Sequence, residues 1–236
     1  MLKRVLLAWL IANFLLVGTV SWFTGGWYLG WDLLPVTLAE LGLIMLPNIA
    51  LPILLVKYFW PESVRSIQVA LGWTWQGWRT FITGIISFLL ALGWSNVVSI
   101  EVGDSIPYCL PGSQASTGSI EDPVQLLESL LFLVTLVGIT VAGEETMFRG
   151  LIQTQLGTAY GAGRGLCLGI VLFGLRHLPA DLFYAQAWDA TPLMWLARQL
   201  DLYGFALILG LARRYGRSTF APAIGHTLVY FVNIFG

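Results

Sequence analysis

Gly143-Glu144-Glu145-Thr146-Met147-Phe148-Arg149-Gly150 is the stretch whose reading decides the fold. It follows a mostly apolar run, Leu126 to Ala142, interrupted only near its start by Glu128-Ser129. Ionisable side chains at lipid depth cost at least about a few kcal/mol each on insertion scales, so a cluster there must be paired or used. As a helix, the stretch puts Glu145 and Arg149 at i and i+4, the spacing of an ion pair on one face. Glu144 points about 100° away and needs another partner. A helix end at the aqueous interface is the plainer reading. The sharper one, adopted here, is a carboxylate site inside a membrane protein.

Composition supports the membrane setting. Hydrophobic residues make up 57% of the chain and charged residues 11%, far from soluble norms. Apolar runs of spanning length recur, so the expected fold is all-α, a polytopic helical membrane protein of about seven to eight transmembrane helices. No polar stretch is long enough to fold separately, which makes it one domain. Within it, residues 1–123 form N-terminal helices and a polar loop, and residues 124–236 carry the Glu and His motifs. The net charge of −1 and the lack of a basic patch point away from nucleic acid. Cys109, in a polar loop, and Cys167, in an apolar run, have no zinc spacing and read as structural or incidental thiols. Many of the eleven Trp, such as Trp22, Trp27, Trp31 and Trp60, fall near expected helix ends as interface anchors.

Taken in order, the first span runs from Val5 to about Phe23, longer than the apolar core of a usual signal peptide. The second, roughly Leu34 to Phe59, carries Pro35, Pro47 and Pro52 and is expected to kink or break; Glu40 fits near an interface. Pro61 to Thr80 reads as an interfacial helix. Phe81 to about Ile100 is the third span, Glu101–Pro123 a polar loop, and the fourth span runs from Val124 into the Glu cluster. Gly157–Gly165 holds four glycines without Walker spacing and reads as a helix–helix turn. A fifth span, about Leu166 to Leu178, is expected to end at Pro179-Ala180-Asp181. Asp181–Thr191 reads equally as a loop or a surface helix. A sixth span begins between Pro192 and Leu200 and ends at Arg213-Arg214, and the last covers about Ser218 to Phe235. Lysines and arginines fall in alternate connections, which predicts a cytoplasmic N-terminus and, with seven spans, a C-terminus on the far side. Arg176 and Arg198 do not fit that map.

The two histidines lie in apolar runs. With the turn between the fourth and fifth spans centred near Tyr160, Glu144 precedes it by sixteen residues and His177 follows it by seventeen. An antiparallel hairpin would bring both to the same depth, roughly 20 Å above the turn. Gly161, Gly165 and Gly169, at successive i+4 steps, permit close helix contact. Gly169, Phe173 and His177 continue the stripe. His226 lies nine residues past Arg217, about 13 Å along the last helix. Two carboxylates and two imidazoles thus converge from three helices.

Glu144-Glu145-x-x-x-Arg149, then Phe173-x-x-x-His177, then His226 on a late helix resembles the CPBP family, also called Abi, which includes the type II CAAX prenyl endopeptidases and bacteriocin-processing-like membrane proteins. The resemblance covers about Val124 to Gly236. It implies an intramembrane endopeptidase in which Glu144 is the general base for water, His177 assists, and Glu145 with Arg149 holds the site together. His226 would contribute to oxyanion stabilisation. In the family an Asn or Asp follows that histidine by four residues; here Tyr230 stands there, and the nearest amide is Asn233, about two turns beyond His226.

Peptide hydrolysis needs a base for water, a stabiliser for the oxyanion and an acid for the leaving amine. Glu144, His226 and Tyr230 or Asn233 offer that chemistry. Glu144, His177 and His226 are equally a zinc-type ligand set, without HExxH spacing, so glutamate-dependent and zinc-dependent hydrolysis both remain open. Two other classes compete. One is a non-catalytic member of the same fold, a membrane chaperone, assembly factor or immunity protein, supported by the altered Asn position. The other is a proton-coupled transporter using a Glu/His relay. The expected partners are membrane lipid and a peptide or membrane protein, bound as substrate or as partner.

Overall fold

The computed structural model describes residues 2–11, 46–59, 66–102, 141–187 and 191–235, and the described residues are helical apart from their turns. Residues 2–11 form α1. They are followed by α2 (Leu46–Phe59), a single turn α3 (Ile67–Ala70) and α4 (Trp78–Val102). Ala142–Glu145, a π-helical segment Thr146–Ile152 and Gln153–Tyr160 run on without a break as α5. Three more helices complete the order: α6 (Ala162–Ala187), α7 (Pro192–Gly216) and α8 (Phe220–Phe235). The expected fourth span before Val141 lies outside the described residues, as do Glu40, Cys109 and the four interface tryptophans named above.

Helix α4 packs on α7 and α8, α6 packs on α5 and α7, and α2 lies against the first turn and π segment of α5. The core between them is apolar: Val5 and Ala8 of α1, Leu55 and Val56 of α2, Met147, Phe148, Leu151 and Ile152 of α5, and Phe173 of α6. The Trp9 indole donates to the Leu172 carbonyl at 2.8 Å and ties α1 to α6. Among the described residues, Trp78–Val98 is the one helix long and apolar enough to cross a membrane by length and composition; Ile49–Tyr58 and Phe220–Val232 are shorter apolar helices. Its outward face carries exposed Phe81, Ile82, Ile86, Leu89, Leu90 and Val97, the surface a lipid-facing helix presents. Helices α6 and α7 have the length to span, about 39 and 37 Å, but each carries charges inside the protein.

The turn expected near Tyr160 is present. Helix α5 ends at Tyr160, Gly161 adopts φ 90°, a conformation that favours glycine, and α6 begins at Ala162. A Cβ on Gly165 would meet the Gly157 backbone, so the two helices touch where the glycine stripe allows it.

Two expectations are corrected. The fifth span does not end at Pro179; α6 continues through it to Ala187, carrying Asp181 with it. The interfacial helix expected over Pro61–Thr80 is, in its described part, the turn Ile67–Ala70, capped by the Ser66 hydroxyl, followed by a non-helical stretch and the first residues of α4. The chain then reverses at Gly72 (φ 66°) and sinks Leu71 fully into the core. Thr219 holds this reversal from both sides: its hydroxyl donates to the Leu71 carbonyl at 2.6 Å and its amide to the Gly72 carbonyl at 2.8 Å. Those bonds satisfy backbone carbonyls that a helix would have paired internally.

Candidate active site

Glu145 is the node of the buried charges. It is completely buried, and one of its oxygens, Oε1, meets both Arg149 Nη1 at 3.2 Å and His226 Nδ1 at 2.8 Å. The i, i+4 pair read from the sequence is therefore present, with a third member from α8. Arg149 Nη2 also approaches the Ala206 carbonyl at 3.5 Å, and the guanidinium lies 4.2 Å above the Phe173 ring. Glu145 Oε2 has no hydrogen-bond partner among the described residues.

Glu144, on the adjoining face, finds its partner across the hairpin. Arg176 Nη1 lies 3.1 Å from Glu144 Oε1, and the Arg176 guanidinium sits 5.4 Å from the Phe148 ring. The two helices thus exchange contacts: Arg149 of α5 covers Phe173 of α6, Arg176 of α6 covers Phe148 of α5, and the two rings meet edge to face at 5.1 Å. Each acid has its own arginine, which offsets part of the cost of two adjacent buried carboxylates. The two pairs differ in access. Glu145 is sealed at 0% exposure, whereas Glu144 keeps 6%. Arg176 Nη1 makes a charge contact but no aligned hydrogen bond; an unmade bond by a buried donor costs about 1–3 kcal/mol.

The histidines occupy different niches. His177 is half-buried, with Nδ1 2.9 Å from the Phe173 carbonyl. A carbonyl only accepts, so in the neutral ring Nδ1 carries the proton and Nε2 presents its lone pair. His226 is buried and held by Glu145 through Nδ1, with Phe205 edge-on at 4.8 Å. The Tyr230 ring stacks on its face at 4.8 Å and 27°. Arg176, His226, His177 and Arg149 are the ionisable side chains within electrostatic range of Glu144. Asn233 lies on α8, but its side chain is outside the described residues. Among the described residues no group of three His, Cys, Asp or Glu side chains is disposed to hold a metal ion. As arranged, Glu144 is paired with a guanidinium and His226 is held through Nδ1 by Glu145.

Residues 126–232 match the family model described as type II CAAX prenyl endopeptidase Rce1-like. This part of the chain is similar to the Rce1-like proteins, which supports the resemblance to the CPBP family. No curated protein and no solved structure matches the chain. The family is membrane-embedded, in agreement with the spanning helix at Trp78–Val98.

The matched region and the helices around it contain further polar contacts that the sequence does not reveal as site features. Arg176 stood out only as a charge that the topology map could not place, and a buried ion pair is why. Arg198, the other misfit, binds Asp181 Oδ1 at 3.2 Å, while Gln199 donates to Oδ2 at 2.9 Å. Asp181 was hidden by the proline two residues earlier, which reads as a helix stop. The Trp73 indole donates to the Thr146 hydroxyl at 2.9 Å, tying the reversed 66–77 segment to the residue after the Glu pair. A tryptophan in a stretch that reads as an interfacial helix gives no such signal.

Proposed function

We propose that the protein is a polytopic intramembrane endopeptidase of seven to eight spans, with a cytoplasmic N-terminus, that cleaves a peptide or protein substrate in the membrane by glutamate-activated water. Glu144 is the general base, His177 assists it, Glu145 and Arg149 hold the framework, and His226 faces the developing oxyanion. The observation that carries the assignment is the difference between the two acids. Glu145 is sealed and bound by two partners, whereas Glu144 retains exposure and shares its surroundings with a half-buried imidazole whose Nε2 lone pair is available.

In this mechanism Glu144 takes a proton from water as the oxygen attacks the scissile carbonyl, and His177 Nε2 orients that water. The carbonyl electron pair moves onto oxygen, opposite His226, which donates there from Nε2 in its doubly protonated form while Nδ1–H donates to Glu145 and the Tyr230 ring stacks on its face. The Tyr230 hydroxyl is the second donor in place of the family's amide. Collapse of the intermediate breaks the C–N bond, and the proton held by Glu144 passes to the leaving amine. The family match makes a prenylated C-terminal CAAX peptide the first substrate to test.

A second reading, a non-catalytic membrane chaperone or assembly factor, draws on Tyr230 standing where the family has an amide. Purified protein in lipid vesicles, offered a farnesylated CAAX peptide and a peptide library, separates the two. The endopeptidase reading expects cleavage that Glu144→Ala abolishes. Absence of cleavage in every condition, with stable capture of a membrane protein, supports the other.

A further inference from the structure

Arg176 carries a donor that the resting site leaves unused. Its side chain is 8% exposed, the buried Nη1 lacks an aligned hydrogen bond among the described residues, and Nη1 lies 3.1 Å from Glu144 Oε1. We propose that Arg176 is a catalytic residue of this chain, binding the carbonyl oxygen of the scissile peptide as it becomes an oxyanion. This rests on the endopeptidase reading above.

Position argues for the role. A water held by Glu144 attacks a carbonyl carbon about 3 Å away, so the carbonyl oxygen must sit within reach of groups flanking that carboxylate. Arg176 is such a group, reaching it from the opposite helix and fixed over the Phe148 ring. Its sequence neighbour His177 follows it on the same helix, held by the Phe173 carbonyl. Chemistry argues likewise. Guanidinium offers five N–H donors in a rigid fork, and a charge-assisted bond to an oxyanion is about twice as strong as a neutral one. In the family the comparable donor is an amide on the last helix; here that position is Tyr230, whose ring face is occupied by His226. Arg176 adds a charged donor from α6 beside the neutral Tyr230 hydroxyl.

The step balances without a co-reactant. Glu144 accepts one water proton and the resulting hydroxide forms the C–O bond. The carbonyl π pair becomes the oxyanion lone pair, which accepts from Arg176. When the pair returns, the C–N bond breaks and the amine takes the proton from Glu144.

The test uses the full chain in lipid vesicles, with a cleavable peptide and a matching peptide phosphonate whose tetrahedral anionic oxygens stand for the oxyanion. Arg176→Met is expected to lower kcat by about 10²–10³ with KM changed less than about threefold. Phosphonate affinity falls by a similar factor. Arg176→Lys, which keeps the charge but not the fork, recovers about tenfold of that loss. Unchanged kcat in Arg176→Met overturns the proposal. So does a kcat loss with full phosphonate affinity, which makes Arg176 only a counter-ion for Glu144. Should Arg176→Met fail to fold, Glu144→Gln/Arg176→Met removes both charges together. Its phosphonate affinity is expected about 10² below that of Glu144→Gln, and equal affinities overturn the proposal. A wild-type protein that binds the phosphonate through Arg176 yet cleaves nothing defeats the endopeptidase reading and leaves the oxyanion site standing. One that does neither defeats both.

Discussion

His226 Nδ1 lies 2.8 Å from Glu145 Oε1, joining the last helix to the first acidic turn of α5 across eighty-one residues of sequence. The same oxygen receives Arg149, so two side chains, one from α5 and one from α8, share one buried carboxylate. This node is structural in the present account, and it positions the imidazole that faces substrate.

Removing Arg149 strands Glu145. Arg149→Ala is expected to destabilise the protein by about 3–5 kcal/mol, measured by thermal or denaturant unfolding in detergent. Arg149→Met with Glu145→Gln, which removes both charges, is expected to recover most of that loss. Unchanged stability in Arg149→Ala contradicts the burial of the pair.

The α5–α6 hairpin can be tested by two glycines that differ in surroundings. A Cβ at Gly165 meets the Gly157 backbone, which cannot yield as a flexible side chain would, whereas a Cβ at Gly163 meets nothing within 4 Å. Gly165→Ala is expected to cost about 1–3 kcal/mol by forcing the helices apart. Gly163→Ala is expected to be neutral or slightly stabilising by about 0.4–1 kcal/mol. Equal effects on unfolding would contradict the close approach.

Asp181 should behave as a buried anchor. Asp181→Ala leaves Gln199 and Arg198 without this acceptor, at a cost of about 1–3 kcal/mol in unfolding experiments. Asp181→Asn, which keeps one acceptor oxygen, is expected to lose about half as much. Wild-type stability in Asp181→Ala would show the cluster to be dispensable.

These contrasts show which parts of the fold can be read from sequence. Local relations were legible: the Glu145–Arg149 spacing gave the ion pair, and the glycines around Tyr160 gave the hairpin. Relations between distant helices were not. No spacing rule links Glu144 to Arg176 or Asp181 to Arg198, and each arginine appeared only as a misplaced charge. Pro179 misled because a proline normally ends or kinks a helix, yet α6 continues through it. The π segment Thr146–Ile152 inserts a wider turn beside the acidic pair, and amphipathic periodicity gives no warning of such an insertion. The Leu71 reversal depends on Thr219, almost 150 residues away.

Tyr230→Phe keeps the ring against His226 and removes only the hydroxyl. Turnover is expected to fall roughly tenfold, the worth of one neutral hydrogen bond. Tyr230→Asn, which restores the family's amide, is expected to match or exceed wild type. Steady-state cleavage of the same peptide by the three proteins decides it; identical rates would remove the hydroxyl from the mechanism.

The central claim is that Glu144, and not Glu145, activates the water. Single-turnover cleavage of a farnesylated CAAX peptide, or of the best library peptide, by folded wild type, Glu144→Gln and Glu145→Gln in vesicles tests it most directly. The account predicts that Glu144→Gln retains peptide binding and loses the chemical step by a factor of at least about 10². Glu145→Gln should lose stability and cleave at a rate closer to wild type once folded. Full cleavage by Glu144→Gln, or a chemical step that depends on Glu145 alone, would contradict the account.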